Sequence, residues 1–318
     1  MAELGADINK AAALLRQNEL VAIPTETVYG LAANAFSEES VLKIFAAKNR
    51  PAFDPLIVHT HSVAAFQNIA IEVPDVAYQL AEAFMPGPIT LILRRAPHVP
   101  LLVTSGNDSV GIRIPRHSLT LDLLKNLEFP LAAPSANPFG YVSPTSAQHV
   151  NQQLGNRIPY ILDGGECTVG IESTIINLVH NEVEILRLGG LAIEEIEQVL
   201  GKTINRVKTS SSNPQAPGML SSHYAPRKKV ILGDIAQKLK EYNPQDIGII
   251  SFKEVFQGIP AQHQVTLSKA GLVQEAARNL FAAMRYLDAQ PIKVILAELV
   301  PDEGLGRAVN DRLRRAAY

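Results

Sequence analysis

Short apolar runs alternate with amphipathic stretches along almost the whole chain, a pattern that predicts an α/β protein. The runs at 20–24, 56–60, 89–94, 110–115, 130–134, 160–162, 174–178 and 183–188 read as strands. The stretch 8–17 reads as a helix. A second helix is predicted after Ser37, which can cap it; Glu38 and Glu39 suit its first turn, and Val41, Ile44 and Phe45 form an apolar face.

The texture changes between 202 and 226, where serine and proline dominate and periodicity is lost. Its length exceeds that of an ordinary loop and predicts a functional connecting segment. Beyond it the alternation resumes. Strands are predicted at 229–232, 246–252 and 293–299, and a helix at 272–287 with Val273, Ala276, Ala277, Leu280, Phe281 and Met284 on one face. The charged end, 304–318, reads as a final surface helix. Three parts follow: a larger α/β domain at 1–203, a linker or lid at 204–227, and a small Rossmann-like α/β domain at 228–318.

Composition narrows the function. Hydrophobic residues make up 47% and charged residues 19%, as in a folded protein with a sizeable core. The net charge of -2 gives no global basic field for nucleic acid, and the lack of Trp argues against an aromatic platform for single strands. Cys167 is the only cysteine, which excludes an intramolecular disulfide and a cysteine-cluster zinc site. The first residues carry acids without a long apolar core, and no apolar run is long enough to span a bilayer, so a soluble cytoplasmic protein is expected.

Familiar nucleotide and hydrolase signatures are absent. Gly201-Lys202-Thr203 resembles the end of a phosphate-binding loop, but Ile196 stands where that loop needs glycine. No GxGxxG accompanies the second domain.

Six blocks carry chemistry instead. Pro24-Thr25-Glu26-Thr27-Val28-Tyr29-Gly30 follows a strand, where α/β folds place ligand groups; a capped turn explains the same letters. Lys48-Asn49-Arg50-Pro51 puts two cations where a helix ends. Extended spacing would aim both at a phosphate, and a basic helix C-terminus is the alternative. His59 ends the next strand. In 109–115, Gly111 and Arg113 share the face opposite Val110, Ile112 and Ile114, which leaves room for a ligand or exposes an arginine to solvent. Ala133-Pro134-Ser135-Ala136-Asn137 offers close backbone approach and two polar side chains, and Ser143-Pro144 suits a helix start. The fifth block joins Asp163-Gly164-Gly165, Glu172-Ser173-Thr174 and Arg187. The sixth is Pro217-Gly218-Met219 with His223-Tyr224-Ala225-Pro226, a combination suited to a lid.

Taken in order, PTETVYGL, KxRP followed by PLIVH, GIRIP, PSAN, ESTII and PGMxxxHYAP resemble the YrdC-like threonylcarbamoyl-AMP synthases, in the longer two-domain form. The resemblance covers nearly the whole chain. It implies a twisted mixed sheet with helices for the first domain. It also implies an enzyme that joins L-threonine, bicarbonate and ATP and releases pyrophosphate, for threonylcarbamoyladenosine modification of tRNA. The threonine carbamate would attack the α-phosphorus, a step that depends on alignment, water exclusion and charge neutralisation.

By this resemblance Lys48, Arg50, Ser135 and Asn137 form a catalytic tetrad at the nucleotide. Asp54, Ser109, Ser143, Arg187 and Tyr224 are further ATP contacts. Thr27, His59, Arg113, Ser173 and the backbone of Ala133 are assigned to threonine or its carbamate. Arg113 is matched to the carboxylate, and His59 to orienting or deprotonating the amine. Mg²⁺ is expected on the triphosphate, without a protein ligand cage. The expected partners are the tRNA threonylcarbamoyl-transferase proteins that consume the product, with direct tRNA binding left open. A rival reading is an RNA-binding translation or ribosome-maturation factor, marked by ATP-independent and salt-steep binding. The similar domain of the hydrogenase-maturation carbamoyl transferases travels with cysteine-rich zinc fingers, which a single cysteine excludes.

Overall fold

The computed structural model describes residues 1–179, 183–206, 216–218 and 224–318. Eleven strands form one mixed sheet: β1 (Glu3–Gly5), β2 (Val21–Ile23), β3 (Gly30–Asn34), β4 (Ile57–His59), β5 (Ile89–Arg94), β6 (Ser109–Arg113), β7 (Leu131–Ala132), β8 (Tyr160–Leu162), β9 (Thr174–Asn177), β10 (Glu184–Arg187) and β11 (Asn205–Arg206). They run in the order β1-β8-β2-β3-β7-β4-β6-β5-β9-β10-β11. β4 lies parallel to β6 and β5 parallel to β9, while β5 and β6 are antiparallel. The expected α/β architecture with a twisted mixed sheet is thus present. β11 pairs with β10 at the sheet edge, so this sheet extends beyond residue 203.

The second sheet holds β12 (Lys229–Leu232), β13 (Ile247–Ser251), β14 (Gln264–Thr266) and β15 (Val294–Ala297) in the order β12-β15-β13-β14, with every pair parallel. This is the small Rossmann-like layer that the sequence predicts.

Local chemistry explains the elements that carry the site. In the helix Glu38–Lys48, the Ser37 side chain accepts from Ser40 N, and Val41, Ile44 and Phe45 are buried. The helix ends at Asn49, whose φ of 55° is left-handed. That turn corrects the extended spacing expected across Lys48-Asn49-Arg50, because the two cations part company at the cap. In β6, Val110 and Ile112 enter the main core as the alternation predicts, and Ile114 continues that face beyond the strand. Gly111 faces a smaller apolar cluster of Ile57, Ile92, Ile175, Leu186 and Ala216. A Cβ at Gly111 would sit 3.2–3.4 Å from Ile92, Thr90 and Ile57.

The two sheets do not stand apart. One hydrophobic cluster runs from Leu31, Ile112 and Ile176 through to Leu280, Phe281, Met284 and Leu313. From the helix Val273–Asp288, Arg285 Nε donates to Ser143 O at 3.1 Å and Arg285 Nη2 donates to Val142 O. Tyr141 OH donates to Asp288 Oδ2 at 2.6 Å.

The last helix, Gly306–Ala316, corrects the surface helix expected from its charges. Ala308, Val309, Arg312, Leu313 and Arg315 are buried in it. Three of its four arginines have carboxylate partners: Arg312 takes Glu172, Arg315 takes Asp311, and Arg307 takes Glu194, while Arg314 is exposed. Charge in the sequence marked the domain joint here rather than solvent.

The joint is closest at Gly170, with φ at +80°, where an added Cβ would lie 2.4 Å from Arg278 Cα and its carbonyl oxygen. Gly170→Ala should therefore cost about 2–4 kcal/mol, from a left-handed non-glycine residue plus overpacking. Urea unfolding measures this, and a variant as stable as the parent would remove the close approach.

Candidate active site

The site begins with the turn after β2. Thr25 Oγ1 accepts from Thr27 N at 3.1 Å and Val28 N at 3.2 Å, and donates to Val28 O at 2.7 Å. This hydroxyl-locked turn holds Glu26 and Thr27 against Arg113 at the end of β6. Arg113 Nη2 lies 2.9 Å from Glu26 Oε2 and donates to Thr27 Oγ1 at 2.8 Å. Glu26 Oε2 also accepts from Arg116 N at 3.0 Å. With both Nη2 protons taken from behind, Arg113 keeps Nη1 for the cavity that it lines.

His59 lines the same cavity from β4. Its Nδ1 lies 3.2 Å from Ile57 O. Burial, then the neighbouring Arg113 charge, pushes the imidazole down to about 3, so it is neutral near pH 7. Such a ring is a poor proton acceptor, and of the two roles expected for it the orienting one fits better.

Across the cavity, Arg187 at the end of β10 donates from Nε to Ser173 O and from Nη2 to Ser173 Oγ, both at 3.1 Å. Its Nη1 donates to Pro217 O at 3.1 Å, which ties the connecting segment to the cavity wall. Ser173 Oγ also bonds Thr90 Oγ1 at 2.7 Å.

Arg50 turns back over its own loop. Nε donates to Asp54 O at 3.1 Å, Nη2 donates to Pro55 O at 2.8 Å, and Nη2 lies 2.8 Å from Asp54 Oδ2. Asp54 Oδ1 is buried and has no hydrogen-bond partner among the described residues. Burial raises the Asp54 carboxyl above its ordinary range, against the pull of Arg50, Lys48 and Arg187.

The cavity encloses about 510 Å³ of empty space, open solvent at its mouth included. Of the residues expected from the sequence, Arg50, Asp54, His59, Arg113, Ala133, Ser135, Ser173, Arg187 and Tyr224 line it. Thr27 stands one bond behind, on Arg113.

Lys48 and Asn137 do not line the cavity. Lys48 Nζ donates to the carbonyls of Ser135 and Asn137, and Asn137 Nδ2 donates to Pro138 O and Tyr141 O. Burial, then the Arg50 charge, holds the Lys48 ammonium well below the lysine range. Both side chains brace the 135–141 loop that presents Ser135. Ser109 opens β6 at the end opposite Arg113 and is not at the cavity.

Ser143 Oγ donates to Glu172 Oε1 at 2.5 Å, so it reaches the cavity through a carboxylate that lines it. Tyr224 is buried in the wall, stacked on Phe281 with ring centroids 5.6 Å apart. His223, the other half of the expected lid contact, lies outside the described residues.

The sequence reading assigned no role to Glu26, Glu172 or Arg312. The first two stand inside its blocks, and a carboxylate next to a hydroxyl residue was the available signal. Nothing local marks Arg312.

Two family models match the chain: one described as "Telomere recombination" over residues 13–189, and one described as "Threonylcarbamoyl-AMP synthase, C-terminal domain" over 191–318. The chain is 43% identical to the threonylcarbamoyl-AMP synthase of Pyrococcus abyssi, over 98% of this chain and 94% of that one. It is 38% identical to the threonylcarbamoyl-AMP synthase of Bacillus subtilis, over 98% and 92%. Among solved structures it resembles P. abyssi Sua5 complexed with L-threonine, with a TM-score of 0.91 and 42% identity, covering 98% of this chain and 94% of that one.

The buried imidazole makes a pH prediction. His59 sits near 3 when folded and near 6.5 when unfolded, so acid favours the unfolded chain. Stability from this group is complete above the unfolded value and is lost as pH falls below it. Going from about pH 7 to about pH 5, the parent should lose about 2 kcal/mol more than His59→Gln, as urea unfolding would show. Equal losses would mean that the ring titrates normally.

Proposed function

The chain belongs to the threonylcarbamoyl-AMP synthase family, and on that premise we propose how its cavity carries out the reaction. The enzyme joins L-threonine, bicarbonate and ATP. The threonine amine takes up bicarbonate with loss of water to give a carbamate. A carbamate oxygen then bonds the α-phosphorus, the α–β phosphoanhydride bond breaks, and pyrophosphate leaves with the electron pair. The product is a mixed anhydride, threonylcarbamoyl-AMP, for threonylcarbamoyl modification of tRNA.

The observation that carries this reading is one cavity lined by three arginines held on separate elements, Arg50, Arg113 and Arg187. The reaction brings a carboxylate, a carbamate and a triphosphate together, and each needs a cation. Arg113, backed by Glu26 and Thr27, takes the threonine carboxylate through its remaining donors. Ser173, the Ala133 backbone and neutral His59 align the carbamate. Arg50 and Arg187 take the phosphates with Ser135, while Lys48 and Asn137 hold the loop that offers Ser135. Tyr224 and Ser143 close the nucleotide end.

Mg²⁺ fits this cavity. Asp54 Oδ1, with no hydrogen-bond partner among the described residues, is the kind of single carboxylate oxygen that a phosphate-borne magnesium uses. When bound, the ion would offset triphosphate charge. Among the described residues no helix is long and apolar enough to cross a membrane. The proposed setting is the cytoplasm, where tRNA threonylcarbamoyl-transferase proteins consume the labile product.

Pyrophosphate release from purified protein with ATP, Mg²⁺ and bicarbonate should require L-threonine. Release indifferent to threonine would overturn the reading and favour RNA titrations. Arg50→Ala should lower release by about a hundredfold or more in a folded protein, the scale of losing a phosphate clamp. Near-parent activity would remove Arg50 from the site. Glu26→Gln should raise KM for threonine about tenfold while KM for ATP stays put, because only Arg113 loses its backing. Parallel rises in both constants would make Glu26 a general structural residue.

A further inference from the structure

We propose that Arg312, on the last helix of the second domain, is a positioning residue for the nucleotide end of the cavity. Supplying this guanidinium is then what the second domain contributes to the reaction. This rests on the nucleotide reading given above.

Arg312 is fully buried and touches two residues of the cavity wall, the strand end beside a third, and Asp311 on its own helix. Nε donates to Glu172 Oε2 at 2.8 Å. Nη2 donates to Leu188 O at 2.9 Å, one residue along from Arg187. The guanidinium carbon lies 4.8 Å from the centre of the Tyr224 ring, whose plane is stacked within 29° of Phe281. Glu172 and Tyr224 line the cavity, and so does Arg187. Through Glu172 the contact reaches a fourth residue, Ser143. One side chain from outside the first domain therefore sets the carboxylate, the strand end and the aromatic ring around the expected nucleotide.

Stability alone does not account for a guanidinium here. A buried ion pair is often matched or bettered by apolar side chains of similar volume. What apolar residues could not do is govern Glu172. This carboxylate lies within electrostatic reach of Arg187. Held by Arg312 and Ser143, it leaves Arg187 to the phosphates. Released, it becomes a competing anion inside the cavity. Arg312 also gives Tyr224 a cation on its ring, which holds the end of the connecting segment against the wall.

The test uses the full chain with R312M, which frees Glu172, and with the double variant R312M/E172Q, which removes the freed carboxylate as well. R312K reaches Glu172 but cannot fork to Leu188 O. G248A serves as a control. It lies in β13 of the second sheet, where an added Cβ would meet Ile292 Cδ1 at 2.5 Å, so it strains the same domain away from the cavity. The readouts are KM for ATP, KM for threonine, and binding of a fluorescent ATP analogue.

R312M should raise KM for ATP and the analogue Kd by about tenfold or more, with KM for threonine within about twofold of the parent, and R312M/E172Q should recover part of that loss because the competing anion is gone. R312K should fall between the parent and R312M. G248A should lower the unfolding temperature and leave KM for ATP unchanged. R312M or R312K, folded and with parental nucleotide affinity, would overturn the proposal, as would an R312M/E172Q no better than R312M or a G248A that weakens ATP equally. If the parent binds the analogue and R312M does not, yet no threonine-dependent pyrophosphate appears, Arg312 keeps its role and the assigned reaction falls.

Discussion

Three guanidiniums in one buried cavity repel one another, and the architecture around them answers that repulsion without filling the space. Each arginine is held from behind by acceptors that belong to the scaffold. Arg113 leans on Glu26 and Thr27, Arg50 on Asp54 and the carbonyls of its own loop, and Arg187 on Ser173 and Pro217 O. Acceptors placed on the far side keep the cations folded into low dielectric while leaving donors free toward the ligand. The hydroxyl-locked turn at Thr25 and the left-handed cap at Asn49 both serve this placement.

Much of this was legible in the sequence because it rests on local rules. The strands at 89–94, 160–162 and 229–232 coincide with β5, β8 and β12, since alternation and flanking turn residues bound them. The two faces of β6 followed from period two. The elements that escaped had no local pattern. β3 is a short, alanine-containing run that begins at the end of a motif, and β1 is a short strand whose residues are mostly exposed. Both exist because neighbouring strands present free edges, a tertiary cause.

The site divides in the same way. Residue types and order marked Arg50, Arg113, Ser135 and Arg187, and the fold brings them to one cavity. Which of the marked residues face the ligand and which stand behind it was not legible. Lys48 and Arg50 are near neighbours in sequence, yet the cap at Asn49 sends one into a carbonyl cradle and the other into the cavity. The helix that carries Arg312 reads as a surface helix, because a helix dense in charge looks solvated until its partners from another domain are known.

The hydrophobic cluster that runs through both sheets has a thermodynamic consequence. A core shared in this way has no internal boundary at which unfolding could stop, so the two domains form one cooperative unit. Whatever fills the cavity in the first domain stabilises the second by the same free energy. Amide protons in the small parallel sheet, which contacts no substrate, would then exchange more slowly whenever the distant cavity is occupied. The second domain would report occupancy of the first without any change of shape.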